Sequence, residues 1–203
     1  MSLLNEFYAQ LDVCNAAAPA DEPAHEAAIW ERFGIERTVL VLDMAGFSVK
    51  VQKHGLMYFL RKIRYMQSVV APLLRHHHGE LVKFEADNAY AVFPRAADAI
   101  ACALDTHAAF SSLADGSPDV DHLDVSIGLA RGRILLIPGH DFFGDAVNLA
   151  SKLGEDVADA SETWIAADLF ADALAMPGVA VEPTTLTLSG IEIQAGQIRR
   201  TKA

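Results

Sequence analysis

Two aspartates follow short apolar runs, and both could do chemistry. Asp43 ends the run Thr38–Leu42, which is typical of a buried central strand. Asp87 separates two further apolar runs, so Ala86–Asn88 are predicted to form a hairpin turn. Carboxylate oxygens are the ligands that hard divalent cations prefer. Each aspartate alone could be a helix N-cap or a turn residue, but a fold that brings both to one sheet edge favours a cation site.

Groups next to these aspartates could bind an anion. Gly46 and Phe47 follow Asp43, and the backbone N–H groups of a turn that leads into a helix can cradle a phosphate. Lys83 lies on an apolar strand four residues before Asp87, where a lysine needs a partner. The alternative for Lys83 is an edge-strand lysine whose ammonium group reaches water.

An amide and a cation share one face of a later predicted helix. Asn148 and Lys152 are four residues apart, and Val147, Leu149 and Ala150 form the packing side. Such a pair suits a ribose or phosphate contact. A solvated helix face is the alternative interpretation.

The elements that must position these residues follow an α+β pattern. Residues 36–203 read as β-α-ββ-α-β followed by more strands and a helix, the ferredoxin-like plan of a sheet with helices packed on it. Helices are predicted over 56–77, 96–113 and 144–153. Strands are predicted over 123–129, 133–137, 179–183 and 185–188. Residues 1–35 form a predicted helical extension that packs on this core or on a partner chain.

Composition narrows the function classes. The chain has 203 residues and a net charge of −11, so nucleic acid and membrane surfaces are poor partners, whereas a nucleotide could bind through metal ions. Cys14 and Cys102 form no metal-binding pattern and no disulfide framework. With no apolar run long enough to cross a bilayer and no signal peptide, we expect a cytoplasmic protein.

Four segments, taken in order, resemble the motifs of class III adenylate/guanylate cyclase catalytic domains. They are Leu42–Ser48, Lys83 with Asp87, Gly132-Arg133, and Asp141–Lys152, and the resemblance covers about residues 37–166. It implies that Asp43 and Asp87 bind two Mg²⁺ or Mn²⁺ ions. It also implies that Lys83 and Asp141 read the purine, a combination that suits ATP.

The same resemblance implies the remaining roles. Arg133 would contact the nucleotide phosphates and Asn148 would orient the ribose. Lys152 stands where the family has an arginine that stabilises the reacting phosphate. The implied reaction is attack of the ribose 3′-hydroxyl on the α-phosphate, which yields cyclic AMP and pyrophosphate. The site would be shared across a homodimer, with the metal aspartates and Arg133 from one chain and the purine pair and the Asn148 helix from the other.

Two other interpretations remain open at this point. Lys152, and Ser189 in place of a late phosphate-binding lysine, fit a degenerate cyclase-homology domain that binds nucleotide or a partner with little turnover. Ala86 also replaces a family glycine, and the segment between Arg133 and Asp141 is short. A different palm-like nucleotidyl transferase would share the core and the paired carboxylates, but it has no place for the Asn148 helix.

Overall fold

The computed structural model describes residues 2–45, 55–114, 123–188 and 190–201. Two helices come first, α1 (Leu3–Ala16) and α2 (Glu22–Phe33). The other helices are α3 (Leu56–His76), α4 (Ala96–Ala114), α5 (Asp145–Ser151) and α6 (Phe170–Leu174). The strands are β1 (Gly34–Met44), β2 (Glu80–Glu85), β3 (Asn88–Phe93), β4 (Val125–Ile137), β5 (Asp141–Phe143), β6 (Thr163–Ala166), β7 (Val179–Leu188) and β8 (Ile191–Arg200).

One mixed sheet joins all the strands in the described ranges. Its order is β2-β3-β1-β4-β6-β8-β7, with β5 paired to β4. Strand β1 runs antiparallel to both β3 and β4, and β4 runs parallel to β6. Helix α3 connects β1 to β2 and α4 connects β3 to β4, so the predicted α+β class and its βαββαβ core are confirmed.

Alternating side chains of β1 divide the core between the two faces of the sheet. Leu40, Leu42 and Met44 pack with residues of α3 and α4, which cover one face. Val39 and Val41 point to the opposite face, where α5 packs. We call these the α4 face and the α5 face. Helices must cover both faces, because a central strand buries side chains on both sides of the sheet.

The first two helices form a small cluster of their own against the far end of β4. Phe7, Ile29 and Phe33 are buried together with Ile137. The Phe7 ring also stacks on Phe143, with centroids 5.5 Å apart. The extension predicted at residues 1–35 therefore packs on the core of its own chain. No helix in the described ranges has both the length and the apolarity of a membrane span.

The predicted elements differ from the structure in three places. Predicted strands 123–129 and 133–137 are one strand, β4, because β1 pairs with it without interruption from Val125 to Leu135 and β5 pairs with its last residues. Predicted strands 179–183 and 185–188 are also one strand, β7, which continues through Pro183. A proline is tolerated there because β7 lies at the edge of the sheet. Helix α5 ends at Ser151 rather than 153, and a π-helical turn, Lys152–Val157, follows it.

A partly buried histidine links α4 to the sheet. His107 Nε2 lies 2.8 Å from Thr163 Oγ1 on β6. Burial lowers the pKa of His107 to about 4. The unfolded chain takes up this proton below about pH 6.5, whereas the folded protein keeps the ring neutral down to about 4. Acidification through that window therefore favours the unfolded state.

We predict that His107→Gln flattens the pH dependence of stability. Glutamine retains a hydrogen-bonding group but does not titrate. The wild type should lose about 2 kcal/mol more than the variant between pH 7 and pH 4, after allowance for solvent screening. Urea unfolding at several pH values measures this difference. Parallel stability curves for the two proteins would contradict it.

Candidate active site

The two predicted metal aspartates lie at one end of the sheet. Asp43 is the penultimate residue of β1. The register pairs Leu42 with Ala89, so the β2–β3 turn that contains Asp87 is beside the end of β1. Ala86 in this turn has a φ of 49°, a left-handed conformation that is uncommon for a residue with a Cβ. The hairpin predicted from the sequence thus brings the second aspartate next to the first.

The electrostatics of Asp43 fit a cation site. Burial, together with the negative charges of Asp87 and Glu155, raises the pKa of Asp43 to about 6. A divalent cation would compensate this concentration of negative charge. Among the described residues, no three acidic, histidine or cysteine side chains form a complete metal site. Mg²⁺ usually keeps several waters and takes only one or two carboxylate ligands from a protein, so the two aspartates could hold this ion.

Two glycines allow the π-helical turn to reach the sheet. A Cβ on Gly128 of β4 would lie 2.1 Å from Ala150 O and 2.4 Å from Gly154 N. A Cβ on Gly154 would lie 2.9 Å from Val41 O. Neither position has room for a side chain. This backbone contact fixes the end of α5 on β1 and β4, and it places the next residue, Glu155, beside the aspartates.

Glu155 is an acidic residue of the site that the sequence analysis missed. Asn88 Nδ2 donates to Glu155 Oε1 at 3.2 Å and to Tyr90 Oη at 3.1 Å. The Tyr90 hydroxyl donates to the same Glu155 oxygen at 3.4 Å. Partial desolvation raises the pKa of Glu155, against the effect of the Tyr90 hydrogen bond. Glu155 therefore connects the aspartates to β3.

The predicted purine-reading pair is in contact within one chain. Lys83 Nζ lies 3.2 Å from Asp141 Oδ1 and 2.8 Å from Glu85 Oε2. It also lies 5.3 Å from the centroid of the Tyr90 ring, a cation–π distance. Desolvation lowers the pKa of Lys83, but the hydrogen bonds to Glu85 and Asp141 raise it on balance. The lysine is therefore charged and held by two carboxylates and one aromatic face.

Asn148 and Lys152, the two predicted residues of the later helix, differ in exposure. Asn148 is exposed on α5, with its backbone N–H bonded to Gly144 O at 3.2 Å. Lys152 is half-buried where α5 gives way to the π-helical turn. Gly46 and Phe47 lie outside the described residues.

Within one chain, the structure does not bring Arg133 to Asp43. Across the β1–β4 pair, Asp43 is opposite Ser126 and Arg133 is opposite Glu36, so seven residues of strand separate the two positions. Strand alternation also puts Arg133 on the α4 face, away from Asp43 on the α5 face. Its guanidinium instead lies 4.8 Å from the Trp30 ring and donates to Trp30 O at 3.4 Å. Arg133 thus holds α2 against β4.

Glu85, Asn88 and Tyr90, which the sequence analysis also missed as site residues, could have been found from strand alternation. Tyr90 is opposite Lys83 in the register, and Asn88 is opposite Glu85, so all four side chains share the α5 face. A consistent count of odd and even positions along the predicted hairpin would identify this group. Glu155 has no such signal, because its position depends on the π-helical turn.

Comparison with known proteins gives one consistent result. The sequence matches no protein-family model, and no curated protein matches it. Among solved structures, the chain is similar to an adenylate/guanylate cyclase/hydrolase from Silicibacter pomeroyi. The two share 22% identity with a TM-score of 0.72, over 84% of this chain and 98% of that one.

Two further structures have the same architecture. The adenylyl cyclase CyaB from P. aeruginosa is 16% identical, with a TM-score of 0.70 over 83% of this chain and 97% of that one. The guanylate cyclase domain of RhGC from Catenaria anguillulae, in complex with GTP, is 18% identical, with a TM-score of 0.70 over 82% and 97%. The chain therefore has the fold of the adenylate/guanylate cyclase catalytic domains.

Proposed function

We propose that this chain is a nucleotidyl cyclase that converts ATP to cyclic AMP and pyrophosphate at sites shared by two copies of the chain. The observation that carries the proposal is the continuous set of contacts on the α5 face. It runs from Asp141 through Lys83 and Tyr90 to Glu155, whose charge acts on Asp43. Each chain would give its cation site to one shared site and its base-reading pair to the other, so two copies that face each other through the α5 face would complete two nucleotide sites.

The chain's own residues would divide the work as follows. Lys83 would donate to the adenine ring and Asp141 would accept from its exocyclic amine. Asn148 would orient the ribose, and the Lys152 ammonium would stabilise charge on the α-phosphate. Asp43 and Asp87 would hold two Mg²⁺ or Mn²⁺ ions, which when bound lower the pKa of the ribose 3′-hydroxyl and neutralise phosphate charge.

A second candidate is a domain that binds nucleotide with little turnover. Lys152 supports it, because a lysine lacks the planar fork of donors of an arginine. The placement of Arg133 against Trp30 also supports it, since the chain then has one cation fewer for the phosphates. ATP binding by calorimetry without any cyclic product would favour this candidate, and so would activity gained in Lys152→Arg.

The first prediction concerns activity. Purified full-length protein with ATP and Mn²⁺ should form cyclic AMP, and Asp43→Ala should lower the rate by about 10²–10³-fold or more because a cation ligand is lost. The matched control is Asp12→Ala, an equal charge change on the exposed face of α1. Product analysis by chromatography, with GTP in parallel, is the measurement. A wild-type rate no higher than that of Asp43→Ala would end the cyclase proposal.

The second prediction concerns the shared site. Asp43→Ala and Asn148→Ala should each be inactive, but their mixture should recover about one quarter of wild-type activity, because about half of the dimers are mixed and each mixed dimer has one intact site. The measurement is the rate after subunit exchange. An inactive mixture, with exchange verified by mass spectrometry, would place the whole site in one chain.

The third prediction concerns base selection. Lys83→Glu with Asp141→Cys should shift the ratio of kcat/KM values toward GTP by about tenfold or more, because the hydrogen-bond donors and acceptors at the base edge are exchanged. Glu85, 2.8 Å from Lys83 Nζ, would repel the new glutamate. The same pair of changes in a Glu85→Gln background therefore separates base selection from this repulsion. An unchanged preference for ATP in both backgrounds would refute the assignment of Lys83 and Asp141.

A further inference from the structure

The first helix contacts the short strand that begins with Asp141. Phe7 of α1 stacks on Phe143 of β5, with ring centroids 5.5 Å apart and ring planes inclined by 7°. Phe143 is two residues after Asp141, the proposed acceptor for the exocyclic amine of adenine. We infer that Phe7 is a positioning residue for base recognition, because it fixes the strand that carries Asp141. This inference rests on the proposed function and gives α1 a part in it.

Strand β5 has few backbone bonds to hold it. It has three residues, and within the described ranges it pairs with β4 alone. Neighbouring residues of a strand point to opposite sides, so Phe142 and Phe143 leave β5 in opposite directions. Phe142 is 3% exposed and meets the Tyr90 ring edge-on at 5.9 Å, whereas Phe143 meets Phe7. Strand β5 is therefore held between two aromatic contacts, and Phe7 supplies one of them.

The Phe7 ring is itself well fixed. Its side chain is 3% exposed, and the Phe33 ring of α2 meets it edge-on with centroids 5.2 Å apart. Near-parallel and edge-on rings at these separations are favoured aromatic geometries. Phe143 remains 39% exposed in its contact with Phe7, so without that contact more of its ring would lie in water. Phe7 therefore gives β5 an apolar support on the side away from Tyr90.

The helices that carry Phe7 are joined to the central strand. Helix α2 ends at Phe33 and β1 begins at the next residue, so no linker separates them. Arg32 of α2 binds both carboxylate oxygens of Glu6 on α1, at 2.7 Å and 3.1 Å. Because Phe7 follows Glu6, its position is fixed relative to β1, which also carries Asp43.

The position of Asp141 affects substrate binding more than the chemical step. Its Oδ1 lies 3.2 Å from Lys83 Nζ, and hydrogen bonds to either partner weaken steeply when their geometry changes. The proposed reaction makes and breaks bonds at the ribose and the phosphate, so the base is held alike before and during it. A displaced Asp141 would therefore raise KM for ATP and leave kcat almost unchanged.

The test is Phe7→Leu in the full-length protein, which keeps an apolar side chain but removes the ring. We expect KM for ATP to rise about three- to tenfold, with kcat within about twofold of the wild-type value. Tripolyphosphate, which has the phosphates of the substrate but no base, should inhibit the variant with an unchanged inhibition constant. Hydrogen exchange at residues 141–143, measured by mass spectrometry, should be faster in the variant. If the protein binds ATP without turnover, the dissociation constant of ATP takes the place of KM.

Two further variants separate positioning from a general loss of stability. Phe110→Leu is the same change at a similarly buried ring, 6% exposed on the α4 face, and should leave KM for ATP unchanged. Phe143→Leu should raise KM as Phe7→Leu does, and the double variant should raise it no further, because both changes remove one contact. An unchanged KM in Phe7→Leu, or an equal rise in Phe110→Leu, would overturn this inference while cyclase activity persists. A wild type that neither turns over nor binds ATP would overturn the proposed function, and this inference with it.

Discussion

The contact between Gly128 and Gly154 is the constraint on which the candidate site depends. The backbones of β4 and the π-helical turn approach so closely that no Cβ fits at either residue. This contact sets the position of α5, and with it Asn148 on its exposed side. It also brings Glu155 to the aspartate end of the sheet. A larger residue at either glycine would separate the turn from the sheet and remove Glu155 from Asp43.

The local parts of the site could be predicted from the sequence. Asp43 follows an uninterrupted apolar run and Asp87 lies in a hairpin turn, so their positions depend on neighbouring residues alone. The family resemblance grouped Lys83 with Asp141, and the structure joins the two in an ion pair. The α+β class and the βαββαβ order of the core also followed, because the order of helices and strands allows few alternatives.

The parts that could not be predicted depend on position in three dimensions. Arg133 lies in the Gly132-Arg133 segment that resembles a family motif. Its distance from Asp43 is set by the β1–β4 register, and the face of the sheet on which it lies is set by strand alternation. Trp30, which contacts it, is remote in sequence. Glu155 depends on the change from α-helical to π-helical hydrogen bonding after Ser151, and no composition or spacing rule signals that change.

The two faces of the sheet carry different groups of side chains. On the α5 face, polar side chains are linked from the end of β1 to β5. On the α4 face, two long helices bury most of the core. A central strand with both faces buried therefore separates the two regions, and each can change without direct contact with the other.

The three partners of Lys83 have an energetic consequence. Its ammonium has three N–H donors and already contacts Glu85, Asp141 and the Tyr90 ring, so a purine that engages Lys83 must share this group with the two carboxylates or displace one of them. Tyr90 also donates to Glu155, so any rearrangement around the lysine extends toward the acidic end. Thermodynamic reciprocity then requires that whatever a cation does to base affinity, the base does equally to cation affinity.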